Sequence, residues 1–138
     1  MRTYLPWLYL GLGLAQAAHS VEEIYTHLHE WMPRVSGSLH QRLGFVPILH
    51  PSADWFASAN VMIVAAMLLI SPFVFQNKSW AWKAITVIAI IETLNGLGHI
   101  SAAVVTGGYF SGCISGVALI LFSVPIWARR WIWCKEIK

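Results

Sequence analysis

Two long stretches of this chain carry no charged residue. They run from Trp55 to Phe75 and from Phe110 to Ala128, and a helix of about 20 apolar residues is long enough to cross a hydrocarbon core. A segment in lipid must satisfy its own backbone hydrogen bonds, so each stretch crosses as a helix. With 57% hydrophobic and 11% charged residues, the chain falls in the membrane class. We therefore predict an all-α, polytopic membrane protein.

Two further segments are apolar except for a few polar residues. One runs from Ala81 to Thr106, and the other runs from Leu5 to Trp31. The start of the latter is similar to a signal peptide, but its apolar pattern continues beyond the small residues of a cleavage site, which favours an intact span. The sequence thus predicts one membrane domain over residues 1–138, an up-down bundle of four transmembrane helices. The predicted spans are about residues 5–31, 54–76, 81–106 and 110–133.

The loop between the first two spans has a pattern of its own. Between Pro33 and Ser52 the composition becomes polar and proline-rich, yet Leu39, Leu43 and Val46 keep helical spacing. This pattern predicts a short interfacial helix in the first loop, lying at the membrane surface.

Lysine and arginine are distributed unevenly about this bundle. Arg34 and Arg42 lie in the first loop, and the other seven lie on the side of the termini. The positive-inside rule then predicts both termini in the cytoplasm and a protein integral to the cytoplasmic membrane. Such a protein contacts membrane lipids. The sequence has no basic stripe that alternates with exposed aromatic residues, so we exclude nucleic acid as a partner. The seven residues are Arg2, Lys78, Lys83, Arg129, Arg130, Lys135 and Lys138.

Three of the predicted spans carry polar side chains at one depth in the membrane. Counted from the membrane edge, these residues lie about 11 to 18 positions into their helices. Those of the first and third spans each follow one helix face. Ionisable residues inside a membrane are rare and usually functional. The layer comprises His19, Glu22 and Glu23 on the first span, Asn60 on the second, and Glu92, Asn95 and His99 on the third.

The mixture of imidazole and carboxylate groups in this layer is typical of metal ligands. A buried carboxylate must bind a cation, be protonated or pair with an imidazolium. Helix bundles hold iron, manganese or zinc with such groups on facing helices. We expect one or two transition-metal ions, iron or zinc, with Asn60 and Asn95 supporting the ligands or orienting a substrate oxygen. The candidate ligands are His19, Glu22, Glu23, Glu92 and His99.

Four functions are compatible with the layer. The first is a membrane-embedded metalloenzyme that acts on a lipid-soluble quinone, isoprenoid or acyl chain, with Glu22, Glu23 and Glu92 as catalytic residues. The second is a metal-free isomerase or cyclase that uses the same glutamates and histidines as acids and bases. The third is proton or metal-ion transport, for which four short helices leave little room unless a homo-oligomer supplies a pathway. The fourth is a structural polar cluster.

These residues also resemble a known family. His19, Glu22 and Glu23 form a His-x-x-Glu-Glu motif, and Glu92, Asn95, His99 and the sequence Tyr109-Phe110-Ser111-Gly112 follow on later helices. In these features the chain resembles the bacterial integral membrane proteins of unknown function named for the HXXEE motif. In that family the last element looks like Tyr-x-Pro-Gly, so Ser111 departs from the pattern. The resemblance implies a membrane location and no particular activity.

Three polar residues follow the layer near the outer end of the first span. They are His27, His29 and Glu30, and at this position we favour simple solvation at the membrane interface over metal ligation. Further along the chain, Gly112 and Gly116 form a Gly-x-x-x-Gly pair. This pair predicts a close contact between helices.

Overall fold

The structure, a computed structural model, is mainly helical in the part of the chain that it describes. It covers residues 4–136, with side chains to Arg129, so Arg2 and Lys138 of the predicted charge distribution lie outside the described residues. Within this range there are five helices and no strand, which confirms the predicted all-α class. The helices are α1 (Leu5–Tyr25), α2 (Leu28–Leu43), α3 (Ala53–Phe75), α4 (Ser79–Thr106) and α5 (Cys113–Glu136).

Two of these helices are candidate membrane spans. By length and composition, α3 and α4 are long and apolar enough to cross a bilayer, whereas the apolar part of α5, Cys113–Arg129, is shorter. Only 22% of the most apolar window of each candidate span is buried within the molecule. The two helices therefore expose most of their apolar surface, unlike the core helix of a soluble domain.

The helix ends follow from local sequence. The Ser52 side chain caps α3 by accepting a hydrogen bond of 3.2 Å from the backbone N–H of Trp55, as serine commonly does. Gly107, with φ of 71°, ends α4 in the left-handed conformation that glycine adopts without steric cost. The predicted first span is divided, because His27 takes up a left-handed conformation at φ 56° and ψ 42°. Helix α1 therefore ends at Tyr25, and α2 begins at Leu28.

Helix α5 is central to the packing. It lies against both α4 and α1, and α1 in turn packs on α3. Toward the α3–α4 turn these helices share an apolar core, whereas the histidines and glutamates of the predicted layer lie nearer to α2 and to the loop Gly107–Gly112. The core consists of Tyr9, Leu12, Ala15, Met67, Val74, Ala81, Ile85, Ala89, Leu119 and Ile126.

The closest approach of α4 to α5 is made by two glycines. A Cβ atom placed on Gly96 would lie 2.5 Å from the carbonyl oxygen of Gly116, and one on Gly116 would lie 3.2 Å from the carbonyl oxygen of Gly96. Gly116 thus makes the predicted close helix contact. Nearby, Thr93 and Ser123 join the helices through a hydrogen bond of 2.7 Å between their hydroxyl groups. Helices α4 and α5 are consequently held together by backbone contact and by buried polar contacts.

Substitution of Gly96 tests this contact. Gly96→Ala should lower the free energy of unfolding by about 1–3 kcal/mol, because the added methyl group would force two backbones apart. Gly98→Ala on the same helix is the matched control, since, apart from its own helix backbone, no atom of the described structure lies within 4 Å of a Cβ at Gly98. The control should be neutral or more stable by about 0.5–1 kcal/mol. Thermal unfolding of both variants in detergent measures the difference, and equal effects would contradict the close contact.

Candidate functional site

Three of the predicted ligands converge on one point. His19 Nε2 and His99 Nε2 each lie 3.1 Å from the same oxygen, Glu23 Oε1. The ligand atoms of the three residues lie within 4.8 Å of one another. The two imidazole rings meet edge to face, with centroids 4.7 Å apart. All three residues are buried, with relative exposures of 0% for His19, 7% for Glu23 and 8% for His99. We call these three residues the His/Glu cluster.

The far nitrogen of each histidine is held by a hydrogen bond. His99 Nδ1 lies 2.5 Å from the backbone carbonyl oxygen of Ser111. A carbonyl oxygen can only accept, so His99 Nδ1 carries a proton. His19 Nδ1 lies 2.8 Å from the Ser115 hydroxyl oxygen, and that hydroxyl donates its one proton to Glu22 Oε2. The hydroxyl must therefore accept from His19, whose Nδ1 is protonated as well.

These hydrogen bonds determine what the His/Glu cluster needs. A neutral histidine protonated at Nδ1 has a lone pair at Nε2. Both Nε2 atoms face Glu23 Oε1, which is itself an acceptor. Each Nε2 atom lies 3.1 Å from this oxygen. The three acceptors repel one another unless positive charge lies among them, either as a bound cation or as protons on the imidazoles or the carboxyl group.

Glu22 is directed away from the His/Glu cluster. Its Oε1 atom accepts from the Tyr109 hydroxyl at 2.7 Å and from the Ile114 backbone N–H at 3.4 Å, and its Oε2 atom accepts from the Ser115 backbone N–H at 2.9 Å. Ile114 and Ser115 belong to the first turn of α5, where backbone N–H groups lack partners within the helix. Glu22 thus caps α5 from another helix, and its charge suits the positive end of the helix dipole.

Tyr109 lies in the loop between α4 and α5. Partial burial and the neighbouring carboxylate of Glu22 raise the pKa of its phenol group. The hydroxyl therefore stays protonated at neutral pH and remains a donor to Glu22.

The other predicted residues lie at different distances from the cluster. Asn95 Nδ2 lies 3.3 Å from His19 Nε2 and 3.5 Å from Glu92 Oε2, so its amide group bridges the cluster and a second buried carboxylate. Asn60 is buried on α3, and its amide donates to the carbonyl oxygen of Phe56 at 3.2 Å. Among the described residues, no hydrogen bond joins Asn60 to the cluster. The structure thus brings Asn95 and Glu92 to the site and leaves Asn60 in its own helix.

The loop Gly107–Gly112 contributes contacts that sequence reasoning missed. Gly112 has φ of 80°, and a Cβ atom on it would lie 2.7 Å from both His19 Cε1 and His99 Nδ1. Only glycine fits between the two rings in this conformation. The preceding residue, Ser111, provides the carbonyl oxygen that orients His99. A proline at this position, as in the family pattern, has the same carbonyl group, so the departure leaves that contact possible.

A small cavity adjoins the site. Its volume is about 190 Å³, and it borders the cluster through Ser111, whose hydroxyl oxygen lies 2.5 Å from that of Thr26. Phe110 lies between the cavity and the site, with its ring centroid 6.0 Å from that of His99 and 6.0 Å from that of Trp31. The cavity is therefore lined by both aromatic rings and hydroxyl groups. Its lining residues are Thr26, Trp31, Thr106, Tyr109, Phe110 and Ser111.

Fold and site together define the class of this protein. It is a helical protein with two candidate membrane spans and a buried cluster of histidine and glutamate. The chain matches the family model described as "Protein of unknown function with HXXEE motif" over residues 10–128, and it belongs to that family. The resemblance noted in the sequence is thus confirmed. Neither the curated proteins nor the solved structures contain a match to this chain.

Ser115 provides a test of the hydrogen bonds that orient His19. Ser115→Ala removes the acceptor at His19 Nδ1 but leaves the carbonyl acceptor of His99 in place. We expect the ¹⁵N chemical shifts of His19 to change and those of His99 to stay close to the parent values. NMR of protein labelled with ¹⁵N-histidine measures both, with exposed Ser101→Ala as control. Unchanged His19 shifts would contradict the inferred tautomer.

Proposed function

We propose that this protein is a four-span membrane metalloenzyme that acts on a lipid-soluble substrate. Its metal would be bound by His19, Glu23 and His99. The observation that carries the proposal is the approach of two imidazole Nε2 atoms to one carboxylate oxygen at 3.1 Å each. Each part of the proposal rests on a separate set of contacts.

The exposed apolar surface supports the membrane location. Leu69 on α3, Leu94 and Val104 on α4 and Leu121 on α5 are exposed by 71%, 64%, 76% and 67% respectively. Lipid would cover these side chains at no cost in free energy. With α1, which at 21 residues is about 31 Å long, these helices would form a four-span up-down bundle.

Helix α2 is suited to the membrane surface. Its exposed large apolar residues recur every fourth position, at Trp31, Val35, Leu39 and Leu43, and therefore form one stripe. An amphipathic helix of this kind lies in the interface between headgroups and acyl chains. The charge distribution of the sequence then supports cytoplasmic termini in the cytoplasmic membrane, with α2 on the opposite face.

The geometry of the His/Glu cluster fits a metal ion. Bonds of about 2.0–2.2 Å to zinc place tetrahedral ligands about 3.3–3.6 Å apart, so the observed separations of 3.1 Å need only a small adjustment. Both histidines bond through Nδ1 to a protein acceptor, as metal-binding histidines usually do. Two imidazoles and one carboxylate are the ligands of many catalytic zinc and iron sites that keep an open position. We therefore propose one ion, iron or zinc.

A bound metal would polarise a substrate oxygen or activate a water molecule. The residues around it supply the remaining parts of a catalytic site. Glu92 is buried and linked to His19 through Asn95, which makes it the candidate to accept or donate a proton. The adjoining cavity of about 190 Å³ is smaller than the about 300–1,000 Å³ typical of ligand pockets. It would take the ring or head of a quinone, isoprenoid or acyl substrate while the tail extends into lipid.

Metal-free acid–base chemistry is the second candidate, and one observation favours it. The buried site contains two histidines and two carboxylates, those of Glu23 and Glu92. If both imidazoles were protonated, each would donate from Nε2 to Glu23 Oε1, and the charges would balance. Such a site would suit an isomerase or cyclase. Proton or metal-ion transport through a single chain is less favoured, because apolar residues such as Leu12, Ile85 and Leu119 fill the half of the molecule near the α3–α4 turn.

Metal content separates the two candidates. After chelator washing and reloading, the His/Glu cluster of the parent protein should hold about one equivalent of iron or zinc, measured by plasma mass spectrometry as the excess over the His19→Ala/His99→Ala double variant. His19→Ala and His99→Ala should lose this metal, and occupancy should fall as the pH is lowered, because protons compete with the metal for its ligands. His50→Ala, at an exposed position outside the site, should retain it. A parent protein that holds no more metal after reloading than the double variant would favour acid–base chemistry.

The membrane orientation can be tested with reporter fusions. A reporter that is active only outside the cytoplasm should give no signal when it is fused after Lys138, because the basic residues favour cytoplasmic termini. The same reporter inserted at Gly37 should give a signal. In the described structure, no atom outside its own helix backbone lies within 4 Å of a Cβ at Gly37. A strong signal from the C-terminal fusion, with comparable expression of both proteins, would contradict the proposed topology.

A further inference from the structure

We propose a second transition-metal site, formed by His27, His29 and Glu30 where α1 meets α2. The ligand atoms of these three residues lie within 4.8 Å of one another. Unlike the residues of the His/Glu cluster, His27 and Glu30 are exposed and His29 is half-buried. The site would therefore bind a metal ion from the aqueous phase.

The break between the two helices creates this convergence. In a continuous helix, His27 and His29 would point about 200° apart around the axis and could not share a ligand. The left-handed conformation of His27 interrupts the helix and turns the two side chains toward each other, so that their ring centroids are 5.9 Å apart. The sequence gives no sign of this break in the helix, because a histidine, unlike a glycine, does not mark a position of positive φ. On this geometry we propose metal ligation here in place of simple solvation.

The side-chain nitrogen and oxygen atoms at this break are available to bind a metal ion. In the described residues, no hydrogen bond or ion pair is made by the side chains of His27, His29 or Glu30. His40, by contrast, is an exposed histidine whose Nδ1 atom is bonded to the carbonyl oxygen of Val46 at 2.7 Å. The His29 ring also lies beside Phe56 of α3, with centroids 6.0 Å apart, which restricts its orientation. Within the part of the chain that the structure describes, the break thus presents two imidazoles and a carboxylate without side-chain partners.

The ligand set determines which ions would bind. Two imidazole nitrogens and one carboxylate oxygen favour zinc, nickel or copper(II) ions, whereas calcium and magnesium ions prefer oxygen ligands alone. Water would complete the coordination at this exposed position. The ligands lack the buried hydrogen bonds that orient His19 and His99, so the affinity should be lower than at a buried site with the same ligands.

The position of the second site suggests its use. His27 follows Glu23 by four residues, just beyond the end of α1 at Tyr25. Thr26, between them, lines the cavity beside the buried site. A metal ion held at the surface would be concentrated next to that site and could pass to it. This delivery role rests on the proposed function, whereas binding at the surface does not.

Metal titration of the full-length protein tests the surface site. The protein should be purified in detergent without a histidine tag and titrated with Zn²⁺ in competition with a chromogenic chelator. In a His19→Ala/His99→Ala background, which lacks the buried ligands, about one equivalent should still bind. Adding His27→Ala or His29→Ala should weaken this binding by about tenfold or more, whereas His40→Ala and His50→Ala should leave it unchanged. The proposal would be overturned if His27→Ala and His29→Ala had no effect on Zn²⁺ binding. It would also be overturned if only the control variants His40→Ala and His50→Ala lost binding.

A spectroscopic measurement makes the result independent of small changes in folding. With Cu²⁺ in place of Zn²⁺, electron paramagnetic resonance should show coupling to two imidazole nitrogens in the His19→Ala/His99→Ala background. The coupling should fall to one nitrogen when His29→Ala is added, and an unchanged spectrum would count against the site. Binding here with no metal in the buried cluster of the parent protein would refute the proposed metalloenzyme and leave the surface site intact. The reverse result would refute the surface site alone.

Discussion

The structure of the site depends on hydrogen bonds to the outer nitrogens of two buried histidines. The carbonyl oxygen of Ser111 fixes His99, and the hydroxyl group of Ser115 fixes His19. Both acceptors belong to the start of α5 or to the loop before it. This segment is itself held by Glu22, which caps α5 from α1. A single short stretch of chain therefore sets the protonation of both rings and their direction toward Glu23.

The arrangement assigns different tasks to the two adjacent glutamates of the motif. Neighbouring residues in a helix point about 100° apart, so Glu22 and Glu23 cannot both face the same partner helix directly. Glu23 points to the histidines, and Glu22 points to the N-terminus of α5. Glu23 thus belongs to the His/Glu cluster itself, and Glu22 holds the segment of chain that orients the cluster. Replacing Glu22 would change the His/Glu cluster indirectly, through the hydrogen bond between Ser115 and His19.

The sequence predicted the helical class and the residues that share a helix face, but not how the helices meet. Glu92, Asn95 and His99 recur with helical spacing, so their common face follows from the sequence alone. The role of Ser115 could not be predicted from the sequence, because a lone serine in an apolar helix gives no signal until its hydrogen-bond partner is known. The break at His27 was equally hidden, since no glycine marks its left-handed conformation. The placement of Asn60 depended on depth alone, and depth does not determine which way a side chain points.

The loop Gly107–Gly112 connects the cavity to the cluster in a way that has a thermodynamic consequence. Tyr109, Phe110 and Ser111 line the cavity, and the same segment supplies the acceptor of His99 and passes between the two imidazole rings at Gly112. A guest molecule that shifts this loop therefore changes the affinity of the histidines for a proton or an ion. By linkage, whatever occupies the centre must change the affinity of the cavity by the same factor. Through such a shift of the loop, filling either compartment would bias the occupancy of the other.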